Sequence, residues 1–358
     1  MARWPAVWGL ALAVFLLWLS VALGTTLAGG GAVAVFGLRP LAVLLPPGAA
    51  VPTDHRVLLL SDEPESVRAA GVLYTDTVAG PFRVFLYALD GSGRPLHFHV
   101  LAMTDRASKG VRVRITRAGM GGPAVAGADA GVEAADAYAV PGRRRTVFLV
   151  PGAQAELVPG LSAVPDAPGA TVEVVVDASA SGPVRVVTAA SYGPWPHLTR
   201  LPLLAPGGPP GTLMRGTFPH ADETITVPVF NWVHQVSVPA IGRDAEGWSA
   251  VDAMAVRDRG NYGVSYRIRI VRYPLSLTTL PRLVASAILR WLTPPSVLLA
   301  PWPLQVWLAG GGLGPRPLRA WRDAWHWPLR GLRTETTRMH WMAVGGTNLP
   351  RVTVLPVG

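Results

Sequence analysis

The sequence predicts a mainly β protein: two antiparallel β-sandwich-like domains, with a short helical, Trp-rich insertion in the second. Three observations predict it. Short apolar runs recur at intervals of roughly ten residues, the spacing of strands joined by turns. Several runs alternate apolar and polar side chains with period two, as a half-buried strand requires. Finally, 39 glycines and 35 prolines are scattered among 358 residues. That composition breaks long helices, so a parallel α/β arrangement lacks its alternating helical segments.

The chain opens with one charge, Arg3, and meets no other until Arg39. Behind Arg3 an apolar core runs over 6–23 and breaks into small residues from Gly24 to Gly29. This is the form of a secretory signal, placed at 1–28, with cleavage after Gly24 or Ala28. Because about 20 apolar residues span a bilayer, an uncleaved anchor is the alternative. Either outcome makes the chain exported, extracellular or held at the cell surface. It contains no cysteine, which removes disulfides and thiol-linked lipid. A body of this size buries a sufficient core without staples.

After a linker at 29–53, the first domain is expected over 54–201. Its apolar runs are 57–60, 82–89, 96–103, 111–116, 146–150, 172–176 and 184–189. In the fourth, Val111, Val113 and Ile115 share one face and Arg112, Arg114 and Thr116 the other. The polar, Gly-ended stretch 104–110 predicts a hairpin joining 96–103 to 111–116. The Ala-rich stretch 129–138 predicts a short helix stopped by Pro141. Arg143, Arg144 and Arg145 precede a strand and read as a solvated edge that discourages sheet-to-sheet pairing.

Breakers then dominate, and 202–212 reads as a linker between domains. The second domain, 213–358, has strand-like runs at 224–230, 233–238 and 262–273, with a closing strand at 351–355. Val264, Tyr266, Ile268 and Ile270 alternate there with Ser265, Arg267 and Arg269. The insertion spans 281–332, with helices expected at 283–292 and 318–327. Arg282, Arg290, Pro294 and Pro295 cut its apolar runs well short of a membrane span.

The net charge is +10, carried by arginines and the single lysine, Lys109. For an exported chain the polyanions within reach are cell-wall polysaccharide and anionic membrane surface, so nucleic acid is disfavoured as a partner. The basic residues concentrate in the C-terminal third, together with Trp302, Trp307, Trp321, Trp325 and Trp327. With Arg319 and Arg322 these tryptophans are candidate binding residues, since exposed Trp stacks on sugars or seats at a headgroup interface. Packing in a core or between domains is the favoured explanation, because aromatic side chains more often pack than stay exposed.

His97 and His99 are the candidate metal ligands, because side chains at i and i+2 share a strand face. His220, Asp222 and His234 are nominal further ligands, though no spacing ties them to the pair. Histidine pairs of this kind are common on strand surfaces, and a structural role is favoured. His220 and Asp222 also read more simply as a turn into a strand than as an acid/base pair. Asp62, Glu63 and Glu65 match a glycosidase carboxylate only in composition and read as surface solvation. There is no nucleophile elbow, zincin motif, phosphate loop or dinucleotide fingerprint, and no cofactor is implied. The expectation is therefore a non-catalytic envelope protein that binds a polymer, a membrane surface or a protein partner. The alternative is a secreted hydrolase of unfamiliar type. A hydrolase should present a pocket with convergent carboxylates or a His and nucleophile, a binding module an exposed Trp and Arg face.

Three stretches, Val111 to Pro123, Arg215 to His220 and Gly260 to Val264, resemble segments of β-rich proteins exported by Gram-positive bacteria. Some of those proteins carry copper-amine-oxidase-like stalk domains. The resemblance covers most of the body outside 281–332 and implies export without carrying over any activity or cofactor.

Overall fold

The computed structural model describes residues 55–124, 127–140, 142, 144–208, 214–230 and 244–273, and the strand segments 42–44, 51–52, 235–238, 304–310, 313–317, 335–342 and 351–356. The expected signal, the helices at 283–292 and 318–327, and Trp302, Arg319, Trp321, Arg322, Trp325 and Trp327 lie outside them. Among the described residues the fold is mainly β, and no helix is long and apolar enough to cross a membrane.

The first strands are β1 (Ala42–Leu44), β2 (Val51–Pro52), β3 (Val57–Ser61), β4 (Ser66–Val67) and β5 (Gly71–Asp90). Next come β6 (His97–Met103), β7 (Val111–Ala124), helix α1 (Gly127–Ala139), β8 (Arg145–Leu149), β9 (Gln154–Glu156) and β10 (Thr171–Ser191). The second half holds β11 (Arg215–Phe218), β12 (Asp222–Phe230), β13 (Gln235–Val238), β14 (Ala245–Ser249), β15 (Met254–Asp258) and β16 (Ser265–Tyr273). The last are β17 (Leu304–Gly310), β18 (Leu313–Pro317), β19 (Glu335–Met342) and β20 (Arg351–Pro356). Inside 281–332 the described residues are thus strands, β17 and β18. Trp307 falls on β17 opposite Thr353.

The centre of the molecule is the antiparallel pairing of β5 with β10, from Thr171↔Leu89 to Ala190↔Gly71. These strands are longer than the runs predicted at 82–89, 172–176 and 184–189, because Gly80-Pro81 and Ser181-Gly182-Pro183 bend the chain without ending it. The register shifts between Ala180 and Val184, and a bulge there sharpens the turn of both strands. Leu86 pairs with Val174, and a straight β10 would carry Thr188 roughly 45 Å beyond that point. Yet Ser61, whose register partner is Leu86, lies 2.8 Å from Thr188, hydroxyl to hydroxyl. The two arms therefore fold over each other. Their inner faces, including Val84, Leu86, Val174 and Val176 from one arm and Leu73, Val184 and Val186 from the other, share one core.

The bend overturns the predicted hairpin. β6 pairs with the second arm of β10 (Arg185↔Met103) and β7 with the first (Ala180↔Val113). The stretch 104–110 thus carries the chain along one flank of β10 across its corner, where Ser181 Oγ accepts from the Arg112 N–H. The large sheet is also mixed, since β3 and β4 run parallel to β5. Period-two alternation says which face is buried and is silent on strand direction.

α1 forms where Ala-rich sequence meets Asp129 in the first turn, a carboxylate favoured at a helix N-terminus. Its buried residues Ala130, Ala134 and Tyr138 recur every four positions and lie on β7. A Cβ on Gly121 would strike the Ala130 carbonyl, so glycine lets the helix settle on the strand. β8 pairs only with β7 among the described strands and is largely exposed, as an edge bearing Arg145 should be.

The same sheet continues past the predicted domain boundary. β11 pairs antiparallel with β3 (Thr217↔Leu59), β14 with β11, and β15 with β14. Pro202 O and the Leu204 N–H bond to Val72. A four-stranded sheet, β19-β16-β12-β2, and a five-stranded one, β1-β13-β20-β17-β18, complete the described architecture.

Candidate functional site

The structure places the predicted site residues in separate surroundings. His97 and His99 do share a face of β6. His97 Nδ1 lies 2.8 Å from Ser162 O, and His99 Nε2 lies 2.7 Å from Ser191 Oγ. Ser191 Oγ donates its own proton to Gly193 O. His99 therefore donates through Nε2, the wrong tautomer for a base that would activate this serine. Burial, and then the neighbouring His97, push the His99 imidazole down to about 4, so it is neutral at ordinary pH. Among the described residues no group of three or more His, Asp or Glu side chains converges to hold a metal. Asp222 is instead bound to arginine, and His220 ends the turn between β11 and β12, as the sequence predicted.

The expected solvated cluster divides. Glu65 is exposed, whereas Asp62 is buried. The reason is that the Asp62 N–H bonds Met214 O and extends the β3–β11 ladder by one residue, carrying the side chain inward. Burial, followed by the charges of Glu65 and Asp258, pushes its carboxyl well above the usual range.

A concavity among the described residues lies elsewhere, on the three-stranded lip β11-β14-β15. It is a cleft of about 680 Å³ lined by Thr217, Phe218, Glu246, Trp248, Arg257 and Arg259, among others. Register builds it. Thr217 pairs with Trp248, and Trp248 with Ala255, so the indole stands between two small cross-strand neighbours. It remains 54% exposed, an aromatic surface that the protein leaves uncovered. Two residues along on the same face, Glu246 faces Arg257 at 3.1 Å. That ion pair is solvent-exposed and contributes little to stability, leaving both groups available to hydrogen-bond a ligand. Beneath the lip Phe218 is fully buried, and a Cβ on Gly247 would strike its ring.

Buried polar groups hold the lip in place from both ends. Arg215, only 1% exposed, reaches from β11 to Leu73 O (3.0 Å) and Leu204 O (2.8 Å). Its remaining nitrogens grip Asp252 in a two-point pair, the strong geometry for guanidinium and carboxylate. Asp252 sits in the turn of the β14–β15 hairpin and also accepts from Ser249 Oγ at 2.7 Å. The hydrogen bonds from Arg215 hold its carboxyl below the usual range against a smaller effect of burial. Thr217 donates to Asp76 Oδ2 at 2.6 Å and meets Tyr74 OH at 2.9 Å. At the far end, Asp258 accepts from the Tyr262 N–H, and Asn261 Oδ1 from the Ala245 N–H.

A second knot fixes the body on which the lip stands. Arg83, 1% exposed, donates to both oxygens of Asp177, to Asp222, to Tyr138 OH, to Ser265 Oγ and to the carbonyls of Ala221 and Gly263. Tyr138 donates to Asp177 in turn, and Arg56 pairs with both carboxylates. Burial raises the Asp177 carboxyl, but Arg83 and then Arg56 outweigh it and hold it below the usual range. One side chain thereby ties β5, β10, α1, β12 and the 263–265 turn together.

Chemically, the lip can stack a flat apolar ring face on Trp248 and bond hydroxyls or anionic groups through Arg257, Arg259 and Glu246. Among the described residues its lining includes one carboxylate, Glu246, and no histidine, which is not the pair of acids a glycosidase uses. The sequence placed Trp and Arg together in the C-terminal third and passed over Trp248. The missing information was cross-strand: only the register shows that its neighbours are Thr217 and Ala255. No family model, curated protein or solved structure matches the chain.

Proposed function

We propose that the chain is an exported, non-catalytic cell-envelope protein whose described body binds a cell-wall polysaccharide through the β11-β14-β15 lip. The observation that carries this reading is the uncovered Trp248 indole beside Arg257 and Arg259, in a cleft whose described lining holds one carboxylate, Glu246. A ring platform with planar donors at its edge suits a sugar polymer bearing anionic substituents. In the same reading the signal at 1–28 delivers the chain outside the membrane. In this reading the halves 54–201 and 213–358 are two sandwich-like units whose strands β3 and β11 pair, and the second carries the Trp-rich insertion at 281–332. The likeness to β-rich proteins exported by Gram-positive bacteria agrees with this placement.

The test is sedimentation with purified cell walls and titration with their soluble fragments. Wild-type protein should pellet in a salt-sensitive manner, and Trp248→Ala should lower the affinity by about tenfold, the scale of one lost stacking contact in a binding site. Binding unchanged by Trp248→Ala and Arg257→Gln would refute the assignment of the lip. Release of shorter fragments from the polymer by the purified protein would favour the hydrolase instead.

A further inference from the structure

A second exposed aromatic group stands apart from the lip, where β10 ends and β5 turns toward β6. Trp195 is the most exposed of the large apolar side chains described, at 69%, and Tyr192 beside it is 45% exposed. The Arg94 guanidinium lies 4.2 Å from the Tyr192 ring centroid. Buried groups pin the bases of both loops. Ser191, 5% exposed, is hydrogen-bonded to His99 and donates to Gly193 O. On the other loop, buried Asp90 accepts from the Ser92 and Leu96 N–H groups, and the Ser92 hydroxyl lies within hydrogen-bond distance of both Asp90 Oδ1 and Arg94 O, sharing its one proton between them. Pro194 and Pro196 flank Trp195 and restrict its backbone. The exposure of these rings is therefore built into pinned loops.

The charge around them has one sign. Residues 91–97 and 191–201 contain no Asp or Glu, while Arg94 and Arg200 are exposed. The nearest carboxylates in sequence and pairing, Asp90 and Asp166, are both buried. The ring face of Tyr192 that Arg94 covers is closed to a sugar, but the stacked guanidinium keeps its in-plane donors for phosphate oxygens. Trp195, a stiffly presented amphipathic ring, suits the depth of lipid headgroups.

We propose that Arg94, Tyr192 and Trp195 form a contact site for an anionic phospholipid surface, separate from the polymer-binding lip. The probe is the full chain with vesicles of phosphatidylglycerol and phosphatidylcholine carrying brominated acyl chains. The tryptophan quenching that wild-type protein shows and Trp195→Phe lacks reports Trp195 alone. That difference should appear with phosphatidylglycerol present and vanish with phosphatidylcholine alone. Arg94→Gln should weaken vesicle affinity about fivefold, the scale for one basic residue at a charged surface, with an unchanged thermal midpoint. Equal quenching in wild type and Trp195→Phe would overturn the proposal, and so would quenching indifferent to headgroup charge. Protection of Trp195 by soluble wall fragments in place of vesicles would assign the site to polymer and overturn it as well. Trp248→Ala should leave the vesicle signal intact, so failure here and failure of the lip are read separately.

Discussion

Arg83 and Asp258 are both ionisable groups buried at joints between sheet segments, and the chain accommodates them differently. Around Arg83 two carboxylates, a phenol, a hydroxyl and two carbonyls satisfy the guanidinium, which stays charged. Among the described residues no cation pairs with Asp258. Its Oδ2 has no hydrogen-bond partner, and burial pushes the carboxyl up to about 8. One joint compensates charge by pairing, the other by keeping a proton. The first should be indifferent to pH across the physiological range, whereas the second makes the hairpin behind Trp248 sensitive to it.

Breaking the paired joint should have the largest effect. Arg83→Met leaves Asp177 buried without its main partner and should cost about 3–5 kcal/mol in urea denaturation. Adding Asp177→Leu should recover part of that loss, because the stranded carboxylate is removed too. An additive double variant would contradict this account of the knot.

The proton-dependent joint is probed by pH. Asp258 has its pKa raised on folding, so the folded state holds a proton that the unfolded chain releases above about 4. The contribution of Asp258 to stability should therefore be complete below about pH 4 and fall as pH rises to about 8, with a slope approaching 1.4 kcal/mol per unit for one proton. Asp166, pushed up to about 7 by burial and by Asp90, contributes with the same sign. Asp258→Asn should make the slope between pH 7 and 8 shallower, leaving the part that Asp166 contributes. An unaltered slope between pH 7 and 8 would show that the carboxyl is not protonated there.

Smaller effects sharpen the contrast within the lip. Ser249→Ala removes one hydrogen bond to Asp252 but leaves the Arg215 pair, and should cost about 1 kcal/mol. Trp248→Ala, at an exposed position, should change stability by less than about 0.5 kcal/mol. If Trp248→Ala instead destabilised strongly, the indole would be a packing residue and the lip would lose its platform.

Much of the strand content was legible because alternation records burial. Val111, Val113 and Ile115 face the core as their spacing predicts, and the helix over 129–138 falls within α1. The arrangement of strands was not legible. Gly80-Pro81 and Gly182-Pro183 look like strand ends, and only the partner strand shows that they are bends. The polar loop at 104–110 has hairpin chemistry, yet it follows a corner set by β10. Asp62 reads as surface acid beside Glu63 and Glu65, and the pairing of β3 with a strand some 150 residues away draws it inside. Arg83 and Arg215 look like ordinary surface arginines within polar and apolar neighbours, because their acceptors come from seven segments elsewhere in the chain.

The β5–β10 pairing also has a consequence for the order in which this chain takes shape. Gly71 waits for Ala190, and Leu89 for Thr171, so contacts at the heart of the body join residues far apart in sequence. Such topologies close slowly, after a large loop entropy has been overcome. A chain delivered from its N-terminus would hold 71–90 without its long partner until 171–191 arrived. A truncation before Thr171 would leave this apolar strand open to self-association.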